Sequence, residues 1–376
     1  MKKVIRKIHR WLGFPLGVLF FITLLSGILV GFDDYIGMLK HVELEHSELS
    51  DAELANAIAV LKERHDGIRQ IIFPKEDMAV FTVTERGAKF YYDPNTLQLI
   101  EQESTRRSAL FSFILSIHRH FLLGRTEYLG LSGAEWVAWC GLLAVVISLI
   151  GVYLWWPSKR TFKVKRLVPT KHKISDYYFS HLSGGIVTVV FIVLFSLTGA
   201  GITYRTIARD LLLEETREIQ SFTPVYSRYG WQGAVSQAKE VFPDAELTSV
   251  RFGGRRTPAQ YEGAAQFRFN TSADWLGYSG SIVYIDTGNG AYLGHSAFAD
   301  HSLGEKLYEL ILPLHIGLGL SPFYLLSMLI AMSLALIMVV GGITSFVMKK
   351  SKYEKKIVAA VSKTVTHFKT DLRGSK

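Results

Sequence analysis

The sequence predicts a membrane α-helical fold, a four-span bundle made from two pseudo-repeats, each carrying a small α+β module outside the bilayer. Three observations predict it: four long apolar stretches, positive charge concentrated in three short segments, and a histidine-led apolar pattern that occurs twice. The composition agrees, with 49% hydrophobic and 20% charged residues over 376 positions, whereas soluble domains carry about 25% charge.

Residues 11–32, 134–156, 184–204 and 322–347 contain no Lys, Arg or Asp. Each is longer than the roughly 20 residues that cross a hydrocarbon core at about 1.5 Å per residue. The first follows MKKVIRKIHR, which has the look of a basic leader; its apolar part is too long and lacks a small-x-small cleavage site before Asp33, so it reads as a retained anchor.

Charge sets the orientation. Residues 1–10, 157–180 and 348–376 hold 21 Lys and Arg with only Asp176, Glu354 and Asp371 as acids, a net +18, while the rest of the chain carries a net −9. By the positive-inside rule both termini and the 157–180 loop are cytoplasmic. The overall +9 is therefore a topology signal and implies no nucleic-acid partner. The basic stretch KKSKYEKK reads as an anchor to the anionic lipid bilayer.

Segments 33–133 and 205–321 then lie on the outer face. In the first, SDAELANAIAVLKERH has an N-cap and helical spacing, and MAVFTVTE and AKFYYDPNTLQLI read as strands with an Asp-Pro-Asn turn. In the second, WQGAVSQAKEVFPDA reads as a helix, and AAQFRFN and GSIVYIDTGNGAYL as strands about an Asp-Thr-Gly-Asn-Gly turn. Helix, strand, strand, turn, strand is the expected order in both.

Each module precedes an apolar segment with an internal histidine, ALFSFILSIHRHFLLG around His118 and KLYELILPLHIGLGLSPF around His315, and then a span ending in SLIGVYLWW or VVGGITSFV. HRWLGFPLGVLFFITLLSG runs from His9 to Gly27, and HLSGGIVTVVFIVLFSLTG from His181 to Gly199, over the same interval. The expected segments are 1–32 (basic end and span 1), 33–105 (outer module), 106–156 (histidine helix and span 2), 157–183 (loop), 184–206 (span 3), 207–300 (outer module), 301–347 (histidine helix and span 4) and 348–376 (tail). Repeats related by an axis along the membrane normal pair His9 with His181 at the cytoplasmic edge and His118 with His315 at the outer edge.

Paired imidazoles at two depths of a bundle suit two b-type haems, since each pair supplies both axial ligands. Gly27 lies 18 residues beyond His9, about 27 Å along a helix. Ser26-Gly27 and Thr198-Gly199 are thus expected beside the outer pair, and Gly151 and Gly341-Gly342 beside the inner one, where missing side chains leave room for a porphyrin. Plainer readings exist: interfacial histidines snorkel or hydrogen-bond, and small residues let membrane helices approach closely. His120 and His172 are alternative ligands. His295 and His301 read as solvated or structural, and His41, His46, His65 and His367 as surface residues.

Other chemistries fit poorly. Cys140, the one cysteine, lies within the second span, which removes disulfides, cysteine-ligated clusters and a dithiol relay within one chain. There is no HExxH, P-loop or nucleophile elbow; GYSGS at 277–281 and RFGGRR at 251–256 do not match such motifs or their context. The chain shows no nucleotide-binding domain of its own, so any electrons it carries must come from quinol or from a reductase partner.

The order of these motifs resembles the PepSY-associated transmembrane family, also called iron-regulated membrane proteins. The matching words are HRWLG at His9–Gly13, Ile117-His118, YLWWP at Tyr153–Pro157, and Leu314-His315 before the fourth span, and the resemblance covers nearly the whole chain. It implies two PepSY-like periplasmic modules and, in the characterised branch, a bacterial inner-membrane ferric-siderophore reductase, an oxidoreductase holding two haems. One departure is FSHLSGG where the family has LHR-x-LG, so His181 lacks the following arginine. The expectation is an electron passed from an inner haem (His9, His181) to an outer haem (His118, His315) and on to ferric siderophore, whose grip loosens on reduction to Fe(II). Arg10 and Arg119 are candidate propionate partners or lipid-phosphate contacts. Trp231, Arg251, Arg255, Arg256, Trp275 and Tyr278 are a mixture that could hold an aromatic or charged chelate, but most of them read as fold and surface and none is taken as a site residue. A respiratory cytochrome b subunit and a haemless sensor or peptidase regulator remain rival readings.

Overall fold

The structure is a computed structural model that describes residues 1–39, 49–75, 79–213, 230–253, 261, 263–317 and 319–374. The elements run α1 (Lys2–Leu39), α2 (Asp51–Arg64), β1 (Gln70–Ile72), β2 (Phe81–Thr84), β3 (Ala88–Tyr92), β4 (Leu99–Ser104), α3 (Ala109–His120) and α4 (Gly133–Trp155). They continue with α5 (Ile174–Thr203), α6 (Arg205–Leu212), α7 (Trp231–Val241), β5 (Glu246–Phe252), β6 (Ala265–Asn270), β7 (Ser281–Ile285), β8 (Tyr292–Ser296), α8 (Leu303–Ile316) and α9 (Pro322–Gly374). Two compact units result: Met1–Leu29, Ile114–Thr203 and Met328–Lys376 form a helical unit, and Val30–Phe113 with Tyr204–Ser327 form a sheet unit.

Four helical stretches, Lys2–Gly37, Gly133–Thr161, Ile174–Thr203 and Pro322–Lys355, are long and apolar enough to cross a membrane. The helices outrun the apolar stretches. α1 begins at Lys2 and α5 at Ile174, so His9 and His181 both stand inside helices. α9 continues through the basic segment read above only as a tail, where no Gly or Pro interrupts it from Ser345 to Arg373. Within the helical unit, Leu24, Ile192, Ala335, Met338 and Val339 make a buried core joined by Phe20, Phe21 and Ile343. Glycines let the backbones close: a Cβ on Gly141 would sit 3.5 Å from the Ser196 backbone, and one on Gly184 2.8 Å from the Met338 Cβ. Val146, Leu149, Val190, Leu197 and Ile330 face outward, as lipid-facing residues of a membrane protein do.

In the sheet unit, eight antiparallel strands run in the order β4-β3-β2-β1-β5-β6-β7-β8. The sequence predicts two three-stranded modules; the structure has four strands per half, fused into one sheet at β1–β5, where Ile71 faces Val250. α2 and α7 supply Ile58, Leu61, Ala234 and Val235 to a shared core with Ile71, Val83, Val250, Phe267 and Val283. The two helices are also tied directly. Asp51 pairs with Lys239, and the Lys62 ammonium lies 4.8 Å from the Trp231 ring and 5.3 Å from the Phe252 ring. Arg107 clamps Asp33 and Asp34 at 2.6 and 2.5 Å, holding the C-terminal end of α1 to the segment before α3. α2, α4 and α8 each start with a complete capping box, Ser50/Glu53, Ser132/Glu135 and Ser302/Glu305.

Candidate functional site

In an α-helix each Cβ leans toward the N-terminus and covers the preceding turn. A glycine at position i therefore uncovers the carbonyl of residue i−4. Histidines of the helical unit sit against such gaps. A Cβ on Gly342 would fall 2.7 Å from His181 Nδ1, and that nitrogen lies 3.0 Å from the Met338 carbonyl oxygen. A Cβ on Gly27 would fall 2.9 Å from His118 Cε1, and His118 Nδ1 lies 3.0 Å from the Thr23 carbonyl oxygen. His9 shares the glycine contact, with Gly151, where a Cβ would fall 3.3 Å from the His9 Cε1, but its Nδ1 has no hydrogen-bond partner among the described residues. A carbonyl can only accept, so Nδ1 carries the proton at His118 and His181, and at His181 no hydrogen bond is made by Nε2 among the described residues.

His9 and His181 come together. Their ring centroids are 6.1 Å apart with planes tilted by 55°, and both line a cavity of about 520 Å³ between α1, α4, α5 and α9. That volume is typical of small-molecule and cofactor pockets, roughly 300–1,000 Å³. Its walls are apolar and aromatic, with Phe14, Phe20, Ile147, Ile343 and Phe346, and Gly13, Gly17 and Gly185 widen it. Its mouth carries Lys3, Arg6, Lys7, Arg10 and Lys349, and no described lining residue is acidic. Among the described residues four buried polar side-chain atoms lack a hydrogen-bond partner: His9 Nδ1, Trp155 Nε1, Ser183 Oγ and His301 Nδ1. Two of the four, on His9 and Trp155, belong to residues lining this one cavity. Buried polar groups are nearly always paired, which sets these two atoms apart.

His118 lies in α3, where burial holds its pKa below the ordinary imidazole value and keeps the ring neutral. Arg119 beside it is exposed. His315 lies in the last turn of α8, in the sheet unit, followed by the left-handed cap Gly317, and the Leu314 carbonyl accepts a hydrogen bond from Tyr324 at 2.5 Å. His120 ends α3, and its carbonyl oxygen packs on Gly133, 2.4 Å from where a Cβ would stand. His172 is exposed and bonded to Tyr177.

The expectation for His65 needs correction. It is a buried residue, 7% exposed, with Nδ1 2.9 Å from Glu85 and Nε2 2.6 Å from the Tyr92 hydroxyl. A lone histidine after a helix carries no sign of partners 20 and 27 residues away. His301 is also buried, with Nε2 2.9 Å from Ser296 Oγ and Nδ1 3.2 Å from Glu309 outside hydrogen-bond geometry, whereas His295 bonds Tyr292 near the surface. His41, His46, Arg255 and Arg256 lie outside the described residues, as does the side chain of His367. Trp231 packs on Phe252 and Phe267, and Arg251 reaches Gln70; Tyr278 lies under the Arg268 guanidinium and Trp275 is exposed.

Sequence reasoning missed Trp155, Lys3, Arg6, Lys7 and Lys349 as residues of the site. The i−4 carbonyls were legible in principle, from any glycine set opposite a histidine.

Four apolar helices, a half-buried imidazole pair and an antiparallel sheet define a multi-span membrane protein with an internal cavity. The sequence profile described as the PepSY-associated TM region matches residues 6–349, and the chain belongs to that family. No curated protein matches the chain.

Proposed function

We propose that the chain is an inner-membrane, two-haem b-type reductase that moves electrons across the bilayer to ferric siderophore and so releases its iron. The observation that carries this reading is the cavity holding His9 and His181. Among the described residues no three His, Cys, Asp or Glu side chains gather as a bare-metal site. Two imidazoles alone suit an iron whose other donors come from a porphyrin. The apolar walls and the cationic, acid-free mouth match an amphiphile with a flat apolar body and anionic acid groups.

When bound, haem supplies a one-electron carrier. The chain's own residues do the rest. The carbonyls of Met338 and Thr23 hold His181 and His118 in the Nδ1–H tautomer, glycines at 342, 151 and 27 let the rings approach neighbouring helices, and the apolar walls exclude water. His118 and His315 form the proposed second pair, supported by the motif order and by the setting of His118. Charge asymmetry supports cytoplasmic termini and a periplasmic sheet unit. The matching order of α2 with β1–β4 and α7 with β5–β8 supports internal duplication. Arg10, at the cavity mouth, and Arg119 are the proposed propionate partners. Quinol or a reductase partner is the proposed donor.

The test is a reduced-minus-oxidised spectrum with pyridine haemochrome quantification on wild type, His9→Ala and His118→Ala. Two b haems per chain are expected, with each variant losing one. Dithionite-reduced protein should then be reoxidised by a ferric siderophore. Colourless protein from haem-replete cells would overturn the reading in favour of a haemless sensor, and haem that ferric chelate does not oxidise would favour a respiratory cytochrome b subunit.

A further inference from the structure

We propose that the mouth of the cavity is a carboxylate clamp, in which the Trp155 indole N–H and the cations of α1 and α9 hold the acid groups of the bound tetrapyrrole and fix the direction in which it enters. The inference rests on the haem reading above.

Helix directions place these groups together. His9 lies against Gly151 and Gly13 against Ile147, so α1 and α4 run antiparallel; His181 against Gly342 and Gly184 against Met338 do the same for α5 and α9. Phe346 on α9 packs on Trp11 and Phe14 of α1, which joins the two pairs at this level. From the imidazole pair, one step toward the N-termini of α1 and α5 and the C-termini of α4 and α9 therefore leads the same way. That step reaches Arg6 and Lys3 on α1, Trp155 one turn beyond Gly151 (about 6 Å), Tyr178 before His181, and Lys349 two turns beyond Gly342 (about 10 Å).

Two independent features at this end ask for an anion. The indole N–H is a donor and nothing else, and at Trp155 it is buried without a partner. The cations gather here: Lys3, Arg6, Lys7, Arg10 and Lys349 all line the cavity, the Lys349 ammonium stands 4.7 Å from the Tyr178 ring, and the described lining contains no acid to neutralise them. Lipid phosphate would satisfy the exposed cations, but a surface headgroup does not reach a buried indole. Acid groups on a molecule already inside the cavity serve both.

The test titrates full-length protein from haem-starved cells with haemin and with haemin dimethyl ester, which lacks the free acids, following the absorbance component that His9→Ala removes. Wild type is expected to bind haemin about tenfold or more tightly than the diester. Trp155→Phe, which keeps the ring and removes the N–H, and Lys349→Gln should each shrink that preference several-fold. Equal affinity of wild type for acid and diester, or a preference unchanged in both variants, overturns the clamp. If Lys349→Gln then lowers only association with anionic vesicles, the cations belong to the lipid. Failure of wild type to take up either compound overturns the haem reading itself, whereas uptake without preference overturns the clamp alone.

Discussion

Histidines in the two units are held in opposite ways. In the sheet unit, His65 is closed on both sides by side chains, Glu85 and Tyr92, and His301 stands between Ser296 and Glu309. In the helical unit, His181 and His118 each lean one nitrogen on a backbone carbonyl, and His181 Nε2 has no hydrogen bond among the described residues. The difference teaches how to tell a structural imidazole from one prepared as a ligand. Side chains that flank both nitrogens stabilise the fold, whereas at His181 a backbone carbonyl fixes the tautomer while the residue lines the cavity.

Substitutions that act on one treatment and spare the other sharpen this comparison. The largest effect is expected from Gly342→Val, whose Cβ would fall 2.7 Å from His181 Nδ1; pyridine haemochrome should show the loss of one haem while thermal unfolding of the sheet unit is unchanged. His65→Ala should do the reverse. It strips Glu85 and Tyr92 of their shared partner and is expected to destabilise the sheet unit by about 2–3 kcal/mol, read by circular dichroism on heating, with haem content intact. Lys62→Met removes the cation from between two aromatic rings and is expected to cost about 0.5–1 kcal/mol in the same unfolding assay. The smallest effect belongs to Gly185→Ala, a cavity-lining position where a Cβ meets nothing within 4 Å; its spectrum should match wild type. Haem loss there would show that the cavity has no room for a methyl group at a position where a Cβ meets no protein atom within 4 Å.

The long apolar helices were legible because about 20 residues without charge admit few other structures. Of the glycines expected beside the histidines, Gly27, Gly151 and Gly342 lie against their rings and Gly341 against the backbone at Tyr177 and His181, since helical spacing converts directly into depth. β1 and β5 escaped notice for physical reasons. Gln70–Ile72 is three residues long, too short for any alternation to register, and Glu246–Phe252 mixes Thr, Ser and Arg into its run. Their pairing joins positions 181 apart, as in Gln70 with Arg251, and no local pattern carries that information. The cavity and the unpaired Trp155 donor were hidden likewise. YLWWP marked the tryptophan, but an unmet hydrogen bond exists only once four helices have closed around it.

The β1–β5 seam also sets a schedule for biosynthesis. β1 leaves the ribosome with β2 on one side and bare backbone donors and acceptors on the other, and its second neighbour emerges about 180 residues later. At roughly 5–20 residues per second, that edge stays open for on the order of ten to forty seconds, while α4 and α5 are made in between. A nascent chain halted after α5 thus carries an unclosed strand edge, the part of this protein most in need of a chaperone's cover.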